Sequence, residues 1–509
     1  MVRRVPDRYY AIGITLLFGL AAAIGIVHHE MWRDEIQAWL LARDSVSLID
    51  LARHLKYEGH PILWYVFLMA LTRVTKSPAV MQAFHLLCAM ATVYVFARYS
   101  PFNRLQKLLF AFGYFPLYEY GIISRNYGIG VFLLFVFAAL FKKRSARFLW
   151  IAVVLSFAAH TNVIVLLIVL AVGFALLAEY LAGRRTKSSE QRTANWLFWG
   201  GFVLIALAVV ASILQMIPPV DSGYVPEWTL ALSVGRLTRV IDLVSRAFFP
   251  IPQVRFDFWI HVPLLETLAS FRKVELPLSV AIVAWIALAL LRKPIALIMY
   301  LLGTIGLLSF FYVKNLGAIR HHGFLFILFI VAVWVAHDCR EVNWLKPLGR
   351  LSGLAEKSLG PILTILLLIH VIGGVIAVGL DYRYVFSNGE AAARFIGDAQ
   401  MQDLPMVAYN DYATSTIVGY LGKDRAYYPQ GQRWGSFVIW DTAREAPVTD
   451  EEIISSAIRL QTELRQDVLL VLDHPLNLDR PTQGPLTEVA RFTGATISDE
   501  DFYLYRLSR

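Results

Sequence analysis

The sequence predicts an α-helical polytopic membrane protein of about eleven spans, followed by a small extracytoplasmic α/β domain at the C-terminus. Three observations carry that prediction. Of the 509 residues, 57% are hydrophobic and only 17% charged, more apolar surface than a soluble chain of this length needs. The apolar residues fall in long segments, many near the length of about 18 residues that a helix needs to cross a bilayer. Lys and Arg gather in the short connections between those segments, and after Leu380 the composition changes to short β-like and helical patterns.

In order, the spans fall roughly at 10–27, 79–97, 105–121, 127–141, 148–160, 162–182, 196–217, 277–291, 294–313, 323–337 and 360–380. The first has the basic start of a signal peptide, Arg3 and Arg4, but no convincing small-x-small site precedes the charged loop after it, so it reads as a retained helix. Several spans, notably 148–160, are short for a bilayer. The connections Arg3/Arg4, Arg98 to Lys107, Lys142 to Arg147, Arg184 to Arg192, Arg292/Lys293 and Arg340 to Lys357 are basic, and the positive-inside rule makes them cytoplasmic. An odd number of spans then places the N-terminus inside and the tail outside, together with loops 28–78, 122–126, 160–162, 218–276 and 314–322. The chain accordingly divides into a membrane domain, 1–380, with long outer loops 28–78 and 218–276, and a soluble extracytoplasmic domain, 381–509.

The first outer loop has helical periodicity. Trp32, Ile36, Trp39 and Leu40 fall at i, i+4, i+7 and i+8, an apolar stripe suited to lying on the membrane surface, with Asp34 nearly opposite it. Pro61 to Thr72 is too short to span and reads as a juxtamembrane helix with Pro61 in its first turn. Loop 218–276 is rich in proline and aromatic residues, among them Trp228, Phe256, Phe258 and Trp259, which suits either a fold over a membrane groove or interfacial anchoring. In the tail, strands are expected at Met406–Tyr409, Phe437–Trp440, Val468–Leu472 and Phe502–Tyr505, with helices at 388–401 and 450–465. The tail has no glycine-rich phosphate loop and no nucleophile elbow, so it reads as a cap or an acceptor-docking module.

Composition also excludes functions. The formal net charge of +9 would suit a nucleic-acid binder, but the basic residues act as topology signals and no basic soluble domain exists, so no nucleic-acid partner is expected. Cys88 and Cys339 lie far apart in or beside apolar segments and make neither a disulfide framework nor a zinc site.

The predicted outer face collects the unusual polar residues: Asp34, Glu35, Glu58, His60, Glu119, Arg125, Tyr127, His160, Asn162, Lys314, Arg320, His321 and His322. Polar groups at membrane depth are costly and mark a site. Taken singly, several have plainer readings: Asp34 as a helix N-cap, Arg125 as a snorkelling interfacial arginine, His160 as a helix-end histidine, the His321-His322 pair as interfacial. Adjacent histidines point apart and chelate poorly, and Glu58 and His60 with Asp34 are a weak set of metal ligands, so the metal is left unknown.

The order of the motifs is informative. Asp34-Glu35 follows the first span, then come Gly59-His60-Pro61-Ile62-Leu63-Trp64-Tyr65, Ser124-Arg125-Asn126-Tyr127 between two spans, His160-Thr161-Asn162, and Arg320-His321-His322 before another span. Over roughly residues 1–340 this order resembles the GT-C superfamily of integral-membrane glycosyltransferases, in the branch of the protein O-mannosyltransferases, aminoarabinose transferases and lipopolysaccharide-core transferases. The resemblance implies a GT-C type fold and an enzyme that moves a sugar from a polyprenyl-phosphate carrier to an acceptor hydroxyl. Asp34 matches the family's acidic position, which serves as base or acceptor-orienting group, and Glu35 is its neighbour, left to position Asp34, bind the acceptor or hold a cation. Arg125 matches the arginine of the family's Arg-x-Tyr element. Arg320 stands where many members have Arg-Tyr, although His321 follows it here, and His60-Pro61 stands where members often have two prolines.

A carboxylate at about 2.6–3.2 Å from an acceptor hydroxyl can take its proton, which is the role expected of Asp34. Guanidinium groups suit the leaving phosphate because they donate paired hydrogen bonds, so Arg125 and Arg320 are expected there, with Lys314 as a point charge and His321 or His322 as hydrogen-bond or proton donors. Glu58, His60, Tyr127, His160 and Glu119 are expected to touch acceptor or sugar. Direct displacement implies inversion and needs no second carboxylate as nucleophile. No cofactor is firmly implied, since some relatives use a divalent cation and others do not. The expected partners are a polyprenyl-phosphate-linked sugar donor, a cell-envelope glycan, lipid or protein acceptor, and membrane lipid, in a bacterial inner membrane. The alternatives are a lipid-linked glycan transporter or flippase, which would carry mid-span charges and repeated broken helices, a polysaccharide ligase or polymerase built on a large Arg- and His-bearing outer loop, and a non-catalytic scaffold.

Overall fold

A computed structural model describes the chain apart from residues 1–5, 185–194, 224–227, 343, 345, 446–447 and 477–484. Most of the basic stretch from Arg184 to Arg192 therefore lies outside the described residues. The protein is a polytopic helical membrane protein. Eight described helices are long and apolar enough to cross a bilayer.

The first of these is α1 (Asp7–His28), followed by three short helices, α2 (Arg33–Asp44), α3 (Leu48–Glu58) and α4 (Leu63–Thr72). Next come α5 (Ala79–Tyr99), α6 (Arg104–Ala111), α7 (Tyr127–Phe141), α8 (Phe148–Ala159), α9 (Val163–Arg184) and α10 (Asn195–Met216). After α11 (Val234–Phe248), the long helices α12 (Ala269–Leu290), α13 (Pro294–Val313), α14 (Ile319–His337) and α15 (Gly349–Arg383) complete the membrane part.

Several elements differ from the sequence expectation. The expected span 105–121 is broken: α6 stops at Ala111, and Tyr114–Glu119 forms a π-helical turn containing Pro116. The break occurs where α15 crosses closely, since a Cβ at Gly374 would lie 2.9 Å from the Phe112 carbonyl oxygen and 3.1 Å from the Tyr114 nitrogen. The expected span at 277–291 starts earlier, at Ala269, and runs through Pro277. Tertiary contacts hold the helix on both sides of the proline, with Ser245 Oγ donating to Glu275 at 3.0 Å before it and Ser245 N–H to Ser279 Oγ at 3.1 Å after it. Helix α14 likewise starts at Ile319, so Arg320, His321 and His322 occupy its first turn rather than a loop before it. Pro61 lies just ahead of α4 rather than inside it, and Leu63 N–H donates to the His160 carbonyl at 3.0 Å.

The apolar stripe of α2 does not lie on a membrane surface. Trp32, Ile36, Trp39 and Leu40 are all buried within the protein: α2 packs between α4 and a helix of the tail, α17 (Asp411–Tyr420), while Trp32 at its start packs against Trp259. A periodic stripe says that a face must be covered and not what covers it. Here Gly419 of α17 lets the two backbones approach, and any Cβ there would lie 2.3 Å from Ile36 Cγ2. Gly419→Ala should loosen the tail from α2 by about 1–3 kcal/mol, read as a lower unfolding midpoint and faster limited proteolysis of the tail.

The tail is an α/β domain. Ahead of α17 come α16 (Gly389–Asp398) and β1 (Met406–Ala408), and after it β2 (Ala426–Tyr428), β3 (Arg433–Gly435), α18 (Asp450–Leu464), β4 (Val468–Leu472), β5 (Leu486–Phe492) and β6 (Phe502–Leu507). The sheet order is β3-β2-β1-β4-β6-β5, with β1 parallel to β2 and β4 and the remaining pairs antiparallel. Met406, Ala408, Leu469 and Val471 pack under α16 and α17, whereas Val407, Leu470 and Leu472 pack under α18, as the two-residue period requires. The expected strand Phe437–Trp440 is absent. At Val438 one side chain of α2 takes the place of a strand partner: Val438 N–H donates to Gln37 Oε1 at 2.9 Å, and Gln37 Nε2 donates to the Val438 carbonyl at 2.9 Å, while the Trp440 carbonyl accepts from Gly223 N–H at 2.9 Å.

Candidate functional site

The site begins where α1 passes into α2. Trp32 occupies the N-cap position, so Asp34 lies inside the first turn and is not the cap. Neighbouring residues on a helix point about 100° apart, and the two adjacent carboxylates accordingly serve different surroundings. Glu35 is fully buried. It accepts hydrogen bonds from Ser124 N–H at 2.5 Å and from Trp32 N–H at 3.3 Å, and it pairs with His29 Nε2 at 3.0 Å. His29 reaches Asp381, at the end of α15, through Nδ1 at 3.1 Å. Burial opposes protonating His29, but the carboxylates of Asp381 and Glu35 overcome it and hold the imidazole protonated well above the ordinary histidine range. The Glu35–His29–Asp381 chain thus ties α1, α2, α15 and loop 122–126 together, and its chemistry is positional.

Asp34 faces a cavity of about 80 Å³ whose walls include Arg33, Gln37, Glu58, His60, Tyr65 and Arg125, with Tyr412, Val438 and Trp440 from the tail. Its carboxylate pairs with Arg125 Nη1 at 2.5 Å, with the Arg125 side chain 11% exposed and that of Asp34 33%. Burial pushes the Asp34 carboxyl up, but Arg125, Arg320 and Arg33 outweigh it, and its pKa falls below the ordinary value. Glu58 is the second carboxylate of the cavity. Its Oε1 accepts from Gln37 Nε2 at 2.7 Å and from Trp440 Nε1 at 3.1 Å. Burial pushes the Glu58 carboxyl up to about 7, against the hydrogen bond from Gln37 and with repulsion from Asp34. His60 is pushed down to about 4 by burial and by Arg125, and its Nδ1 is buried without a partner.

A second and larger cavity, about 360 Å³, adjoins the first at Arg33, which lines both. Three guanidinium groups surround the Trp32 ring, Arg33 at 5.3 Å, Arg125 at 5.9 Å and Arg320 at 5.7 Å, and Trp259 meets the same indole edge-on at 5.0 Å. Arg33 is paired with Asp499, and its backbone N–H donates to the buried Glu500 at 2.7 Å. Arg320 differs from the other two. It stacks 4.8 Å from Trp259, lines the larger cavity, and has no ion-pair partner among the described residues, with its Nε buried and unbonded.

The other expected site residues separate into groups. Glu119 is buried, accepting from Tyr114 Oη at 3.0 Å and Trp259 Nε1 at 3.2 Å, and so supports the wall that carries Trp259. His321 Nδ1 accepts from Ala318 N–H at 2.8 Å, which caps α14, while its Nε2 meets Tyr127 Oη at 2.8 Å. With both ring nitrogens and the Tyr127 hydroxyl engaged, this pair positions the first turn of α14. His322 lines the larger cavity with its Nε2 on the Leu316 carbonyl at 2.7 Å. Lys314 stands 3.8 Å over the Trp228 ring and lines neither cavity. His160 closes α8 and also lines neither. Among the described residues no three His, Cys, Asp or Glu side chains converge as a metal-binding group, and Asp34, Glu58 and His60 are no exception.

Sequence reasoning missed Gln37, Tyr412 and Trp440. Gln37 sits one turn after Asp34, and an amide on that face was a readable signal. Tyr412 and Trp440 come from the tail, where only an aromatic-rich strand pattern stood out. The chain matches no protein-family model and no curated protein.

Proposed function

We propose that this protein is a GT-C type membrane glycosyltransferase that moves a sugar from a polyprenyl-phosphate carrier to an acceptor hydroxyl, with inversion, on the extracytoplasmic face of a bacterial inner membrane. In this reading the broken segment 104–119 and the short helices α7 and α8 are crossings additional to the eight long helices, the N-terminus is cytoplasmic, and the tail lies outside. The observation that carries the reading is Arg320, a guanidinium with no carboxylate partner among the described residues, lining a cavity that adjoins the Asp34 carboxylate.

The chemistry follows from that adjacency. Carrier phosphate in the larger cavity would meet Arg320, whose charge matches the negative charge that grows on the leaving oxygen. The sugar would sit between the cavities, beneath Trp32. Asp34, held ionised by Arg125, places a fixed negative charge beside the anomeric carbon as positive charge develops there, and orients the incoming hydroxyl by accepting its hydrogen bond.

The test uses full-length protein in lipid nanodiscs, a panel of polyprenyl-phosphate sugars and crude envelope acceptor. Wild type should consume one donor, and Arg320→Ala should lower the rate about a hundredfold while keeping its unfolding midpoint. If wild type consumes no donor yet moves labelled polyprenyl-linked lipid between leaflets, the transporter reading replaces this one.

A further inference from the structure

Resting on that transferase reading, we propose that the acceptor is a neutral sugar, packed against Tyr412 and Trp440 of the tail, and that Glu58 takes the proton of its attacking hydroxyl.

The two cavities differ in charge. In the smaller one both arginines are already neutralised, Arg125 by Asp34 at 2.5 Å and Arg33 by Asp499. An anionic acceptor such as a lipid phosphate would find no unengaged cation there and would face two carboxylates, a cost of like charges in a partly desolvated space. A polyhydroxylated neutral ring fits better, since its hydroxyls can donate to Asp34 and Glu58. The tail supplies the apolar surface such a ring needs. Tyr412 and Trp440 lie nearly parallel, with ring centroids 6.2 Å apart and an interplanar angle of 18°, and both line the cavity. Arg444, anchored on Asp411 at 2.7 Å, braces this pair from 4.5 Å over Trp440.

Geometry also separates the two carboxylates. Asp34 is engaged by Arg125, which makes it a poor proton sink. Glu58 is fixed through one oxygen only, by Gln37 and Trp440, and its other oxygen has no hydrogen-bond partner among the described residues. The groups facing it are Asp34 and Arg33 from α2, Arg125 from loop 122–126, His60 and Tyr65 from the next turn and α4, and Tyr412 from the tail. A base is most effective when its pKa lies near the working pH, and Glu58 is tuned there by burial. In the step, the acceptor oxygen forms a bond to the anomeric carbon and its proton passes to Glu58. The bond from that carbon to the phosphate oxygen breaks, and its electron pair leaves on the polyprenyl phosphate. Glu58 then releases the proton to water.

The test offers the donor found above to full-length protein in nanodiscs with three acceptors: neutral methyl hexosides and dihexosides, a serine-containing peptide, and a glycolipid phosphate. Transfer to a hexoside is expected. Its rate should rise with pH up to about 7 and then level, because only ionised Glu58 accepts a proton. Glu58→Gln, which keeps an acceptor for Gln37 and Trp440, should lower transfer about a hundredfold and remove the rise. Glu58→Asp should restore part of both. Trp440→Ala should raise KM for the hexoside about tenfold with a smaller change in kcat. Transfer to the peptide or the phosphate with none to hexosides, or a Glu58→Gln enzyme with unchanged rate and pH profile, would overturn this inference and leave the transferase reading standing. Failure of wild type with every donor would overturn both.

Discussion

On the proposed transferase reading, Asp34→Asn is expected to lower sugar transfer by about a hundred- to a thousandfold, roughly 3–4 kcal/mol of transition-state stabilisation, while the protein still folds and binds the proposed lipid carrier. The size follows from two losses at once. The cavity loses its fixed negative charge where the proposed reaction places the anomeric carbon. Arg125, whose side chain is 11% exposed and paired with Asp34 at 2.5 Å, is left without a counter-ion and is free to swing toward the donor phosphate. Because the carboxyl of Asp34 sits below its ordinary pKa, its charge is constant near neutral pH, so the variant should lose rate evenly across that range. That separates it from Glu58→Gln, which changes the shape of the profile. Side-by-side pH–rate curves of the two variants check the division of labour, and an Asp34→Asn enzyme with full activity would remove Asp34 from the chemistry.

Glu35→Ala, one residue along, is expected to destabilise the fold itself by about 3–5 kcal/mol. Glu35 is fully buried, and its removal strands the N–H of Ser124, the N–H of Trp32 and one side of the His29 imidazolium, none of which water can reach cheaply. The expected readout is a markedly lower unfolding midpoint and little recovered protein. Glu35→Gln, whose single amide oxygen can keep an acceptor for Ser124 N–H or for Trp32 N–H but not for both, should fall between. The pH dependence has a definite sign. His29 has a raised pKa in the folded state, so the stability it contributes is fully present below its unfolded pKa of about 6.5 and is lost as pH rises toward the folded value. Wild type should therefore lose stability over that window, and Glu35→Gln should lose less. A Glu35→Ala protein as stable as wild type would show that Asp381 alone suffices for His29.

The two carboxylates also show how far sequence reasoning reaches. An acidic pair after the first span, with Arg125 and Arg320 in later connections, was legible as a set of polar residues too costly to scatter at a membrane boundary. Which of the pair faces the cavity was not, because the 100° between neighbours decides it only once the helix axis is placed. Trp440 illustrates the opposite limit. Its run Phe437–Trp440 has strand composition, yet two hydrogen bonds from Val438 to the Gln37 side chain hold it across α2, a pairing 401 residues apart that no local pattern encodes. The break at Phe112–Gly113 was hidden for a similar reason, since hydropathy reads apolar length and is blind to a second helix crossing within contact distance.

The sequence by itself determined the membrane-spanning character, the order of the eight long apolar helices, the α/β nature of the tail and the identity of the charged residues near the site, while helix α11 inside the expected loop 218–276 was not read. Those properties follow from burial free energy, which is local and roughly additive along the chain. Only the tertiary structure decided which charges are neutralised, which carboxylate is structural, and that the tail closes the cavity over Asp34 and Glu58. Those outcomes depend on distances of a few ångströms between residues far apart in sequence, and electrostatic energy in a partly desolvated space changes steeply over that range.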